Sequence, residues 1–164
     1  GSAFPRAWVW TQSNHFDEDH VCLTASIADI PLAGRVLRGF IVGFLFGGVF
    51  YQWATWNGSR LVHFAYDNEH VEFTVVNAKH VLEVWSGGRS GMGQVFAPRA
   101  GAMTQMLVEE LNAVVQVRLI ERHVNEDVLL FEGRGRNGGL EISGDMVAVV
   151  GTPEVHTVQG LARP

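Results

Sequence analysis

Three glutamates stand on stretches whose other residues are apolar. Glu83 alternates with Val81 and Trp85, Glu121 with Val115, Val117 and Leu119, and Glu141 lies between Leu140 and Ile142. A carboxylate on an apolar strand face must be ion-paired, sit at a rim, or stay neutral because burial raises its pKa. The first two states are structural, with Arg60, Arg118 or Arg122 as counter-ions; the third is a general acid at neutral pH. Gln12 and Asn14 share a face with Trp8 and Trp10, and His80 opens a strand that carries Glu83.

Other chemistries find little support. The seven histidines, His15, His20, His63, His70, His80, His123 and His156, show neither His-x-His nor His-x-x-x-His spacing, so no metal site is expected. Gly133 to Gly139 is glycine-rich but joins two strands, whereas a phosphate cradle needs a helix N-terminus after the loop. No cofactor motif is visible. Cys22 is the single cysteine, which excludes an internal disulfide and reads as a small core residue. The net charge of −5, with no basic stretch, argues against a nucleic-acid partner. The longest apolar run, Phe40 to Tyr51, is interrupted by three glycines and falls short of the roughly 20 residues of a membrane helix. It reads as two strands buried on both faces, with a membrane-facing or barrel-facing surface as the alternative.

The elements that must position these residues are strands. Short alternating or apolar runs recur between turn signals: 8–16, 20–27, 38–46, 48–55, 60–66, 71–77, 80–85, 113–122, 128–133 and 139–142, with 146–150 as a further candidate. Asn57-Gly58 gives a strong hairpin signal between two of them. Ser86 to Gly93 reads as a glycine-rich turn. Gly101 to Asn112 breaks the period, because Met103, Met106, Leu107 and Leu111 sit near helical spacing; a short helix or covering loop is expected there. The fold class is all-β, an antiparallel lipocalin-like barrel of eight to ten strands with at most one or two short helices. The ten Phe, five Trp and four Met would line its interior as a ligand cavity. Residues 1–6 form an N-terminal arm whose Gly1-Ser2 start looks like a protease scar, residues 7–150 the barrel, and 151–164 a tail.

Several short motifs, in order, resemble the second half of the tocopherol cyclase family. They are Trp10-x-Gln12-x-Asn14-x-Phe16, Tyr51 ahead of Trp56-Asn57-Gly58, His80-Val81-x-Glu83, Ala97-Pro98, Glu121-Arg122 and Leu140-Glu141-Ile142-x-Gly144. The likeness spans residues 8 to 145. Family members are about twice this length, and nothing here matches the Phe-Glu-Gly-Trp-Tyr signature of their first half.

The resemblance implies acid-catalysed cyclisation of a prenylated hydroquinone or related isoprenoid, an intramolecular lyase or isomerase reaction. An acid protonates the prenyl double bond, a tertiary cation develops, and the phenolic oxygen attacks it. On this reading Glu83 or Glu121 is the acid. Trp10, Trp53 and Trp56 form an electron-rich wall for the cation. Gln12, Asn14 and His80 orient the phenol, with Tyr51, Asn57 and Glu141 also at the ligand. The implied partner is an apolar small molecule, with an N-terminal domain or a second copy left open. The expected location is the cytoplasm, with at most peripheral membrane contact. The competing reading is a non-catalytic lipocalin-like carrier of the same ligands, and a third is a structural half-module. An acid enclosed in a cavity favours catalysis; three carboxylates at the rim favour a carrier.

Overall fold

Period-two burial shapes the strands. In β1 (Ala7–Ser13), Ala7, Val9, Thr11 and Ser13 are buried while the residues between them are not. The computed structural model describes residues 5–67, 69–88, 93–99 and 102–151. The remaining strands are β2 (His15–Phe16), β3 (Cys22–Leu32), β4 (Arg35–Phe46), β5 (Val49–Ala54), β6 (Arg60–Tyr66), β7 (His70–Val76), β8 (His80–Gly87), β9 (Gly93–Arg99), β10 (Ala102–Glu121) and β11 (Val128–Ser143). The sheet runs β5-β4-β3-β1-β11-β10-β8-β7-β6, with β2 on β11 and β9 on β10. The chain is therefore an all-β, antiparallel, nearly closed barrel of nine strands, as expected from the strand spacing.

β5 and β6 are the two ends of that path and face each other across a seam. Residues 55–59 connect them, so Asn57-Gly58 turns a corner from one sheet edge to the other and does not close the expected hairpin. Asn57 organises this corner. Its Oδ1 accepts from the Ala54 amide at 3.0 Å, the Ser59 amide at 3.3 Å and the Ser59 hydroxyl at 2.6 Å. Its Nδ2 donates to the Gln52 carbonyl at 3.2 Å. Gly58 has φ +80°, a conformation that disfavours side chains. Asn57→Ala strips the acceptor from three donors and should lower stability by about 1 kcal/mol in urea denaturation, with Asn57→Asp recovering most of it. Equal stability of Asn57→Ala and wild type would exclude this role.

The chain end helps close the seam. Phe64 of β6 and Val149 exchange both backbone hydrogen bonds at 2.8 Å. Arg38 of β4 is clamped by Asp29 at 2.8 and 2.9 Å, lies 5.1 Å from the Phe64 ring centre, and donates to the Val147 carbonyl.

The middle of the barrel is filled. Thr11 of β1 and Ser86 of β8 are fully buried, and their hydroxyls meet at 2.7 Å across the interior. Thr11 also donates to the Gly139 carbonyl at 2.9 Å, so the pair is satisfied. Phe16, Phe44, Phe46 and Phe131 interlock with ring-centre separations of 5.0–6.4 Å. Aromatic residues expected to line a cavity instead pack against one another here.

Three expectations for individual segments change. Residues 102–121 form one strand, so neither a helix nor a covering loop lies in the 101–112 stretch. The first half of β10 pairs with β9 and β11, and register shifts at Gln105/Leu107 and Glu110/Ala113 break the period-two pattern there, while the second half is the strand expected at 113–122. Residues 133–139 lie inside β11, so they do not form a hairpin loop. A Cβ on Gly138 would come within 2.8 Å of the Gln12 carbonyl oxygen, and one on Gly139 within 2.7 Å of the Trp10 ring. These glycines permit close strand and indole approach. Finally, the β4–β5 apolar run is buried on one face alone: Ile41 is 40% exposed and Phe50 61%. The expected Gly1-Ser2 scar, residues 89–92 of the expected turn, and residues 152–164 of the tail, His156 included, lie outside the described residues. Gly101 does too, as does residue 68.

Candidate functional site

The expected site residues fall into three groups. The first occupies one end of the barrel. β5 directs Tyr51 and Trp53 inward, and their rings stack at 6.3 Å. His80 begins β8 on the core-facing parity of Leu82, Val84 and Ser86. Glu121 ends β10 on the parity of Val117 and Leu119 and is the direct cross-strand partner of His80. His80 is held by Asn77, whose Oδ1 accepts the His80 amide at 2.8 Å and whose own amide donates to the His80 carbonyl at 3.0 Å. Trp53 Nε1 reaches that same carbonyl at 3.3 Å. The Tyr51 ring meets the His80 imidazole edge-on at 4.8 Å.

Glu121 lies between two imidazoles. His80 Nε2 is 3.5 Å from one carboxylate oxygen, and His123 Nε2 is 2.7 Å from the other. The His123 backbone amide is fixed by the Asp127 carboxylate at 3.0 Å. His123 belongs to no motif in the sequence; its one signal is the two-residue spacing from Glu121, which puts both on one side of an extended chain. The arrangement sets a carboxylate and two imidazoles beside the Tyr51 ring, with Trp53 fully buried behind it, at an end where Glu121 remains 39% exposed.

The second group lines an outer groove of about 590 Å³ across β7, β8, β10 and β11. Glu83 is there, 3.2 Å from Arg118 Nη1, so its carboxylate serves as an ion-pair acceptor. Arg118 also approaches Glu132 at 3.8 Å, while its buried Nε has no hydrogen-bond partner. Trp85 forms part of the same groove and stacks with His70 at 5.6 Å. Asp67 holds His70: burial pushes the Asp67 carboxyl up, but the Glu69 and His70 amides and the His70 charge pull it further down, leaving it below its ordinary value. A depressed carboxyl contributes stability above its unfolded pKa, and that contribution fades as pH falls through the folded value.

The third group is on the outer face of β1, β3 and β11. Trp8 Nε1 donates to Glu141 at 2.6 Å, and Trp10 is in register with both Glu141 and Ser26. Gln12 lies on this outer face and is exposed, and Asn14 is exposed between β1 and β2. Trp56 stands 71% exposed in the seam corner, and Asn57 is engaged in that turn. The structure thus unites Tyr51, Trp53, His80 and Glu121, while Glu83 and the Trp10–Glu141 group lie on separate outer surfaces. Among the described residues, no group of three His, Cys, Asp or Glu side chains is disposed to hold a metal ion. No helix among them is long and apolar enough to cross a membrane.

The chain is thus an antiparallel, nearly closed β-barrel with an imidazole–carboxylate–aromatic cluster at one end. A family model described as tocopherol cyclase-like matches residues 1–144, and the chain belongs to that family. No curated protein and no solved structure matches it.

Proposed function

We propose that this tocopherol cyclase-like chain binds a prenylated hydroquinone or a related isoprenoid at the Tyr51–His80–Glu121 end of the barrel and closes its ring by acid catalysis. The observation that carries this reading is the convergence of Glu121, His80 and His123 with the stacked Tyr51 and Trp53. Membership of the family supports the reaction class.

The chemistry balances without a co-reactant. A proton passes from the Glu121 carboxyl to the less substituted alkene carbon, leaving a tertiary cation and a carboxylate. The partly exposed Tyr51 ring stabilises that cation, and Trp53, fully buried and stacked on it, holds that ring in place. The phenolic oxygen then forms the new C–O bond, and its proton passes through His80 back to Glu121. Substrate and product are isomers.

A second reading, an isoprenoid carrier, is favoured by one specific observation. Glu83 lines an open groove, Glu121 is 39% exposed, and Glu141 is on an outer face, so none is enclosed. Incubating the chain with a prenylated hydroquinone separates the two. Chromanol formation above the protein-free rate is the expected result. Saturable binding with no chromanol would establish the carrier and overturn the cyclase. The absence of both would overturn both readings.

A further inference from the structure

Trp8 and Trp10 both lean from β1 towards β11. The Trp8 indole N–H reaches Glu141, and the Trp10 six-membered ring lies against Gly139. Their partners on the other side, Ala28 and Ser26 of β3, are small. Large side chains leaning away from small ones leave a trough of about 380 Å³ with Ser26 and Ala28 as its floor and Pro5, Trp8, Trp10 and Glu141 as the remaining lining.

Glu141 is the one charged residue in that lining. It is half-buried, accepts one hydrogen bond from an indole, and has no ion-pair partner among the described residues. A carboxylate set among indoles without a counter-ion favours a cation that desolvates easily and is attracted to aromatic faces. A quaternary ammonium meets both requirements: it carries no N–H that demands an acceptor, and its charge is spread over methyl groups. Arginine and lysine can also pair with a carboxylate, but each keeps N–H donors beyond those Glu141 can accept and so loses more hydration in this trough than a quaternary ammonium does.

We infer that the Trp8–Trp10–Glu141 trough is a binding site for an alkylammonium head group of the trimethylammonium type. This site is separate from the Tyr51–Glu121 cluster and does not depend on the proposed reaction. The same chemistry occurs in free choline-like molecules and in choline lipids, and the two differ in what else must be bound.

The test titrates the intact chain with choline, following indole fluorescence and the indole N–H resonances of Trp8 and Trp10. Saturable binding is expected, with 3,3-dimethyl-1-butanol, the uncharged analogue, binding roughly tenfold or more weakly. Glu141→Gln should weaken choline binding by a similar factor. Ser26→Phe, which fills the trough from its floor and leaves both indoles and the carboxylate in place, should abolish it. Circular dichroism verifies that each variant is folded, and a failure of one variant to fold leaves the other as the test. Vesicles of phosphatidylcholine distinguish the source: binding to them through the same residues, and not to phosphatidylglycerol vesicles, assigns the lipid head group, whereas choline binding alone assigns the free cation. No saturable choline binding, equal binding of the neutral analogue, or unchanged affinity in the folded variants overturns the inference.

Discussion

Glu121→Gln is expected to slow ring closure by about 10²–10⁴-fold, the usual contribution of general acid catalysis, with the affinity for the prenylated hydroquinone nearly unchanged. The substitution preserves shape, leaving an amide oxygen towards one imidazole and an NH2 towards the other, but removes the transferable proton. Glu121 is the better candidate of the two strand carboxylates because of its company. It is opposite His80 in the ladder, 2.7 Å from His123, and on the inward side of the barrel. Glu83 instead meets Arg118 at 3.2 Å in an outer groove. Glu83→Gln should therefore leave turnover close to wild type. Measuring kcat and KM for both variants decides the matter: full turnover in Glu121→Gln removes it as the acid, and loss confined to Glu83→Gln would move the chemistry to the outer groove.

This choice shows where sequence reasoning stops. Alternation put Glu83, Glu121 and Glu141 on strands, but alternation does not say which face is the core. The apolar neighbours of Glu83, Val81 and Trp85, lie on the outer face. There Val81 joins Val76 and Ile120 in a small buried cluster that resembles a core in sequence. Glu121 shares the inward parity of Val117 and Leu119, which places it at the barrel end. The barrel itself was legible because its strands are long enough for period two to dominate. The first half of β10 was not, because bulges shifted its period, whereas its second half is the strand expected at 113–122; the Asn57-Gly58 turn misled because a local turn motif does not reveal whether its flanking strands pair with each other. The union of Tyr51 with His80 depends on barrel closure, a contact between elements that pair with different neighbours, and no local pattern encodes it.

Phe44→Ala is expected to destabilise the chain by about 3–5 kcal/mol, a large share of the roughly 5–15 kcal/mol typical of a domain. Phe44 is fully buried, and its ring meets Phe131 at 5.3 Å, Phe16 at 6.3 Å and Phe46 at 6.4 Å. Removing it takes away both the transferred apolar surface and the contacts of the rings around it, which can relax only in part. Urea denaturation should show a lower midpoint with an unchanged slope. Phe44→Leu, which retains most of the volume, should lose clearly less. The same variants test whether the barrel middle is filled. A packed wild-type interior has no room for a small apolar probe such as benzene, whereas the space vacated in Phe44→Ala is lined by Phe side chains and should admit it, as dry apolar cavities do. Benzene should then raise the melting temperature of Phe44→Ala and leave that of wild type unchanged. A loss below about 1 kcal/mol would mean that Phe44 borders an open cavity, since truncation beside empty space sacrifices few contacts. That outcome would return the ligand to the barrel centre and away from the Tyr51–Glu121 end.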